Sequence, residues 1–226
     1  ISLSCDGSAP SSDNYMVQAL PKSAWGKNYL TAPTAGYSNN ATATPYAYNL
    51  YRVCVTDVTT RVFIDGVITT LPLIDNFYYN IPTSNTAHSI TADKSIMVAQ
   101  YLPSRGNCNN MGVGDGDPEV IYLSPIEQSI KQVTWNACRP AAINVNKHYI
   151  NFVIPNGGTA ISNCFLDGIR VPAANFIVHP QNSSYSYAVL NVSGTTNTTL
   201  SGIPHTLVSD SGFNAIAYGF GQTESY

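Results

Sequence analysis

His88 to Tyr101 reads H-S-I-T-A-D-K-S-I-M-V-A-Q-Y, and His205 to Tyr218 reads H-T-L-V-S-D-S-G-F-N-A-I-A-Y. A His, an aliphatic residue, an Asp, a large apolar residue and a Tyr coincide at one separation, 117 positions (205 less 88). Self-similarity of this kind marks a repeated structural unit. Asp65-Gly66 and Asp167-Gly168 lie 102 positions apart, Trp25 and Trp135 lie 110 apart, and Lys27-Asn28-Tyr29-Leu30 matches Lys147-His148-Tyr149-Ile150 at 120. The order is kept while the spacing drifts, as loop insertions between matching strands would produce. A tandem duplication follows, with units of roughly 110 residues each. The expected extents are 1–105 and 119–226, joined by a Gly/Asn/Asp-rich linker over 106–118.

The units read as all-β, and the expected architecture is two tandem β-sandwich domains of similar topology. Short runs rich in Val, Ile, Thr and Tyr recur between turn residues, for example Tyr48–Thr56, Ser95–Leu102, His148–Ile154 and Ser184–Asn191. Asp65-Gly66 and Asp167-Gly168 each stand between two apolar runs. Asp-Gly suits a type I′ hairpin, whose two central residues both need positive φ. Asp93 and Asp210 are expected in a second repeated turn, between His88–Thr91 and Ser95–Leu102 and between the matching runs of the second copy. No segment keeps a helical period with caps.

Charged residues make up 10% of the chain and hydrophobic ones 44%, so a real core is available and the polar surface must come from Thr, Ser, Asn and Tyr. With a net charge of −3 and no basic stripe, nothing answers a phosphate backbone, and nucleic acid is not an expected partner. No apolar run approaches the roughly 20 residues of a spanning helix, so membrane insertion is not expected either. The chain begins with Ile, which reads as a processed chain or a fragment of a longer protein. Five widely spaced cysteines (Cys5, Cys54, Cys108, Cys138 and Cys164) contain no C-x-x-C pair, which speaks against zinc. Two disulfides are expected, with one thiol left over or paired outside the chain, the alternative being buried free thiols that pack as small hydrophobes.

Few residues suggest chemistry. Asp115, Asp117 and Glu119 alternate in a Gly-rich loop, a pattern that suits a structural Ca²⁺, the only cofactor considered. The EF-hand Gly and Glu are missing, and the same residues also serve to cap turns. Glu127, in S-P-I-E-Q, could pair with Asp115 or Asp117 as in a glycosidase. The favoured reading is structural, with Glu127 accepting hydrogen bonds from backbone amides, an Arg or a Tyr at the junction of the copies. Ser209-Asp210-Ser211-Gly212 echoes a serine-protease G-D-S-G, but the first copy keeps no Ser in register. His88 and His205 read as strand-end side chains. Asn40, Asn182, Asn191 and Asn197 sit in N-x-S/T sequons.

Several stretches resemble one known family. They are A-W-G-K-N-Y-L-T-A-P (Ala24–Pro33), V-F-I-D-G (Val62–Gly66), G-D-G-D-P-E-V-I-Y-L-S-P-I-E-Q (Gly114–Gln128) and the terminal stretch from His205 to Tyr226. The chain is similar over nearly its whole length to the IgGFc-binding-type N-terminal domain, found also in long secreted or surface proteins of gliding Bacteroidetes. The resemblance implies a secreted or cell-surface adhesion or structural role and no catalysis. It does not imply binding of antibody by this chain. The expected partners are a protein or glycan ligand at the cell surface, with self-assembly or neighbouring units of a longer chain as further possibilities. A carbohydrate-binding module, with Tyr78-Tyr79 or Tyr185 and Tyr187 as its aromatic row, is the alternative. A hydrolase is a third reading.

Overall fold

Residues 89–102 form one uninterrupted strand, and residues 204–221 form its counterpart; around these two strands everything else is arranged. The computed structural model describes residues 16–36, 46–102, 116–137, 145–193, 204–221 and 224–226. The strands of the first unit are β1 (Gly26–Leu30), β2 (Asn49–Cys54), β3 (Val62–Ile64), β4 (Val67–Ile68), β5 (Tyr78–Ser84), β6 (Ser89–Leu102) and β7 (Glu119–Tyr122). Those of the second are β8 (Ile130–Asn136), β9 (Val145–Pro155), β10 (Cys164–Leu166), β11 (Ile169–Arg170), β12 (Ile177–Val178), β13 (Tyr185–Asn191), β14 (Pro204–Gly221) and β15 (Glu224–Ser225).

Each long strand serves two sheets. The first half of β6 is flanked by β1 and β3, and its second half by β2 and β7. In the second unit β8 and β10 flank the first half of β14, while β9 and β15 flank the second half. The two halves fold over a core: Tyr29, Tyr51, Val53, Ile90, Ile96 and Val98 in one unit, and Ile150, Phe152, Ile154, Leu207 and Phe213 in the other. The order β4-β3-β6-β2-β5 recurs as β11-β10-β14-β9-β13, with β12 added at the second unit's edge. The two units therefore share one topology, and Tyr101 and Tyr218 occupy matching places.

The break expected around Asp93 and Asp210 is a bulge within a strand. Opposite β1, the register jumps from Thr91 to Ile96; opposite β8, it jumps from Val208 to Phe213, the same two places 117 positions on. A bulge bends a strand without ending it, which is how β6 and β14 pass from one sheet to the next. Asp93 Oδ1 accepts the Arg61 N–H at 2.9 Å. Asp210 accepts from Thr159 Oγ1 and from Asn163 Nδ2, and these hydrogen bonds hold its carboxyl below the usual carboxylate range.

Two further expectations differ. The sequence puts Glu119 at the start of the second unit, yet β7 pairs antiparallel with β6, from Ala99↔Tyr122 to Leu102↔Glu119. Ile96–Leu102 is buried throughout, and the edge of β6 not taken by β2 needs hydrogen-bonding partners, which β7 supplies. The stretch 103–118 therefore connects two paired strands of the first unit; most of the proposed linker, 106–115, lies outside the described residues. Leu123–Ser129 leads on into β8. Second, Lys27–Leu30 lies in β1 and Lys147–Ile150 in β9, strands that are not counterparts; β1 matches β8. Nor is Trp25 the partner of Trp135, which pairs with His205, where the first unit has Thr31 bonded to His88. An aromatic-aliphatic run recurs in any buried strand, so such matches carry no register.

One segment lies at the centre of the contact between the units. Thr31 to Ala35, directly after β1, is buried. Its own unit holds it through Gln100 Nε2 on Ala32 O (3.0 Å) and Asn49 Oδ1 on the Thr34 N–H (2.9 Å). The second unit covers it with the outer face of β9, β13 and β14. Tyr218 Oη accepts the Ala35 N–H at 2.7 Å and donates to Asn151 Oδ1 at 2.8 Å, while Asn151 Nδ2 donates to Pro33 O at 2.8 Å. Leu30, Ala32 and Ala87 pack against Val153 and Tyr187, and Ala35 and Leu102 against Tyr218 and Phe220.

Candidate functional site

Both Asp-Gly turns are type I′ in backbone, with φ of 54° and 81° at Asp65 and Gly66 and of 52° and 77° at Asp167 and Gly168. A third turn of this kind, Asp75-Asn76 at 51° and 55°, was missed; its signal was two residues that tolerate left-handed backbone. The Asp of each Asp-Gly turn does more than turn the chain. Asp65 Oδ2 lies 2.7 Å from His88 Nδ1, and its Oδ1 accepts the Ser89 N–H at 2.9 Å. Asp167 repeats this with His205 Nδ1 (2.8 Å) and the Thr206 N–H (2.8 Å). The hairpin is thereby clasped to the start of the long strand. The sequence offered each Asp and each His, but their contact spans 23 and 38 positions, and no local signal announces it.

An imidazole oriented through Nδ1 by a carboxylate is also the arrangement of a general base. His88 stacks edge-on against Tyr51, with Nε2 buried and without a partner, and His205 lies 5.4 Å from the Trp135 ring. Among the described residues neither imidazole is hydrogen-bonded to a hydroxyl or thiol. In the protease-like stretch, Ser209 Oγ donates to Ala160 O and Ser211 Oγ to Asp210 Oδ1. These groups tie bulge and loop together.

The acidic residues are spread out. Asp115 lies outside the described residues. Asp117 sits ahead of β7, its N–H donating to Ser225 Oγ at 2.8 Å, and Glu119 Oε1 accepts the Val120 N–H at 2.8 Å. Among the described residues no three His, Cys, Asp or Glu side chains converge as a metal site would need. Glu127 differs from expectation in exposure and partner: it is solvent-exposed and accepts from the Asn28 side-chain amide at 2.6 Å. The reason is the approach of its short helical turn to β1. Pro125 comes so close to Gly26 that a Cβ there would meet the Pro125 ring at 2.3 Å, leaving Glu127 over the rim of the contact. Asn214 Nδ2 donates to Pro125 O at 3.0 Å, so this connector does touch both units.

Cys54 and Cys164 are free and buried, in different units. Two disulfides would need four of the five cysteines, and only Cys5, Cys108 and Cys138 remain, all outside the described residues. Burial pushes both described thiols up to about 11, so they pack as small apolar groups.

One surface is shaped to hold something. Beside the second clasp lies an open cleft of about 750 Å³, walled by Leu166, Ile169, Val171, Pro172 and Leu190, with Arg170 and Asn175 supplying polar groups. Ile169 is 74% exposed at its mouth. Mostly apolar walls with a few polar groups are the usual composition of a binding cleft. On the outer face of the first unit the Arg52 guanidinium is held within the chain, 4.1 Å from the centre of the Tyr78 ring and 5.3 Å from that of Tyr101, with Nε donating to Asn80 Oδ1 at 3.0 Å. The aromatic rows expected for a carbohydrate module are not planar exposed rows: Tyr79 is in the first core, and Tyr185 and Tyr187 pack in the seam between units.

Comparison with protein families matches residues 3–219 to the family described as IgGFc binding protein. Comparisons with curated proteins and with solved structures gave no match.

Proposed function

Since this chain belongs to the IgGFc binding protein family, we propose that it is a non-catalytic adhesion module of a secreted or cell-surface protein, engaging a protein or glycan ligand through the cleft beside Asp167 and His205. The cleft carries this reading. It is formed by the Asp167-Gly168 hairpin and the end of β13, its walls are mostly apolar, and Arg170 stands at its side with no carboxylate partner among the described residues. The clasp supports it: both Asp–His pairs hold hairpins in place, and a rigid hairpin is a good platform for recognition. The test is a panel of glycans and extracellular glycoproteins probed with the purified chain and with Ile169→Arg, which puts a charge at the exposed mouth of the cleft. Binding to a panel member that Ile169→Arg weakens at least tenfold, with an unchanged melting temperature, is the expected result. Binding that ignores the substitution removes the cleft from the function, and turnover of a panel member would replace adhesion by catalysis.

A further inference from the structure

One wall of the cleft is also the edge of a sheet. β11 is the outermost strand of its sheet, and among the described residues no strand pairs along its far side. Leu166 lies opposite Ile169 and Phe165 opposite Arg170, and the Val171 N–H donates to Cys164 O at 2.9 Å. Hydrogen bonding alternates along an antiparallel pair. Ile169 and Val171 therefore turn their backbone groups toward β10, and Arg170 turns its N–H and C=O away from it. A strand edge with free donors and acceptors is a template for another chain.

The side chains alternate as well. Leu166, Ile169 and Val171 share the face that borders the cleft, and Val171, 4% exposed, belongs to the second core. Phe165 and Arg170 share the opposite face, where the guanidinium lies 5.8 Å from the centre of the Phe165 ring. Arg170 is exposed, and no carboxylate answers it among the described residues. A strand added at this edge meets aliphatic walls on one of its faces and a lone cation on the other.

Resting on the cleft reading above, we propose that the ligand is an extended peptide that pairs with the β11 edge and carries Asp or Glu between two aliphatic residues. The acidic residue sits opposite Arg170, which bonds its backbone through N–H and C=O and its carboxylate through the guanidinium. The two flanking side chains lie on the other face, over Ile169 and Val171, and enter the cleft. A glycan fits less well. Leu166, Ile169, Val171, Pro172 and Leu190 offer its hydroxyls no partners in exchange for the water they give up. The edge is also selective. Pro172 has no N–H with which to extend the ladder, and like charges disfavour Arg170 opposite a second Arg170, so unchecked sheet growth is blocked. In the first unit the same hairpin keeps Phe63, but Ile68 lies opposite it where the second unit has Arg170. The acidic preference therefore belongs to the second unit.

The test is an amide NMR titration of the isotope-labelled full chain with a capped heptapeptide, Ser-Thr-Val-Glu-Val-Thr-Ser, to about 5 mM, which reaches weak association. One control peptide carries Lys in place of Glu, and another is N-methylated at the Glu. The Arg170 amide should shift most with the parent peptide, and both controls should bind at least tenfold more weakly. Arg170→Ile, which copies the first unit, should remove the preference for Glu over Lys, and Arg170→Glu should reverse it. Ile169→Arg should weaken the parent peptide at least tenfold. The peptide series alone keeps the proposal falsifiable should a variant melt early. It is overturned if the parent peptide does not bind, if a control binds equally well, or if the preference survives Arg170→Ile. If no peptide binds but a glycan does, and Ile169→Arg abolishes that binding, the peptide is wrong and the cleft stands. Glu-selective binding that ignores Ile169→Arg takes the peptide out of the cleft and overturns both.

Discussion

Tyr218 shows how much one buried hydroxyl can organise. Its ring stacks on Tyr149 at 5.5 Å and its oxygen joins Asn151 of one unit to the Ala35 backbone of the other. Full burial pushes the phenol well above its usual range, so it stays a neutral donor. Tyr218→Phe keeps the ring and strands both partners inside the seam. The expected cost is about 1–3 kcal/mol, the penalty for unsatisfied buried groups. For a chain of this size that lowers the melting temperature by about 2–4 °C per kcal/mol. Differential scanning calorimetry checks it, and no loss would mean that water replaces the hydroxyl freely. Tyr29 is the matching fixture inside the first core: its hydroxyl donates to Ile96 O at 2.7 Å and accepts the Gly26 N–H, and burial raises it to about 12.

At the scale of an element, the Asp-Gly hairpins test whether backbone conformation alone sets a cost. Gly66 sits at φ 81° and a Cβ built there meets nothing within 4 Å. Space is therefore no obstacle, and any loss in Gly66→Val reports the left-handed backbone, for which a β-branched residue is least suited. The expected destabilisation is about 1–3 kcal/mol. Gly66→Asn, which tolerates that region, should recover most of it. Equal melting temperatures for the Val and Gly proteins would remove positive φ from the account. The clasp makes the hairpin matter to its neighbours, since Asp65 also bonds the Ser89 N–H at the head of β6.

For the whole molecule the seam predicts a pH dependence. His179 is buried against Thr31, its Nε2 3.2 Å from the Thr31 carbonyl. Desolvation lowers its pKa below the ordinary value of 6.5, and nearby His88 adds to this, while the Thr31 carbonyl and Asp65 oppose it. The folded state thus binds a proton less readily than the unfolded chain. Stability is complete above about pH 6.5 and falls as the pH drops through the folded-state value. Thermal melts from pH 7.5 to about 4.5 should show this loss, and His179→Gln should flatten it relative to wild type. A wild-type profile unchanged by the substitution would place the titration elsewhere.

The sequence by itself determined what a few adjacent residues can decide. Asp65-Gly66 and Asp167-Gly168 specified their hairpins because positive φ is a property of those residues, and the alternating apolar runs specified strands through burial. The matched His, Asp and Tyr of residues 88–101 and 205–218 pointed to two units of like strand order, because register was kept without gaps. The tertiary structure decided what depends on distant partners. Asp93 and Asp210 looked like turns, but flanking strands on both sides pull their segments into a bulge. Glu119–Tyr122 looked like the start of the second unit until the unpaired edge of β6 claimed it. The Asp–His clasps and the seam through Thr31–Ala35 join groups far apart in sequence, whose contact depends on closing long loops around a common core. No short window records that choice, because its energy comes from burying surfaces that the window does not contain.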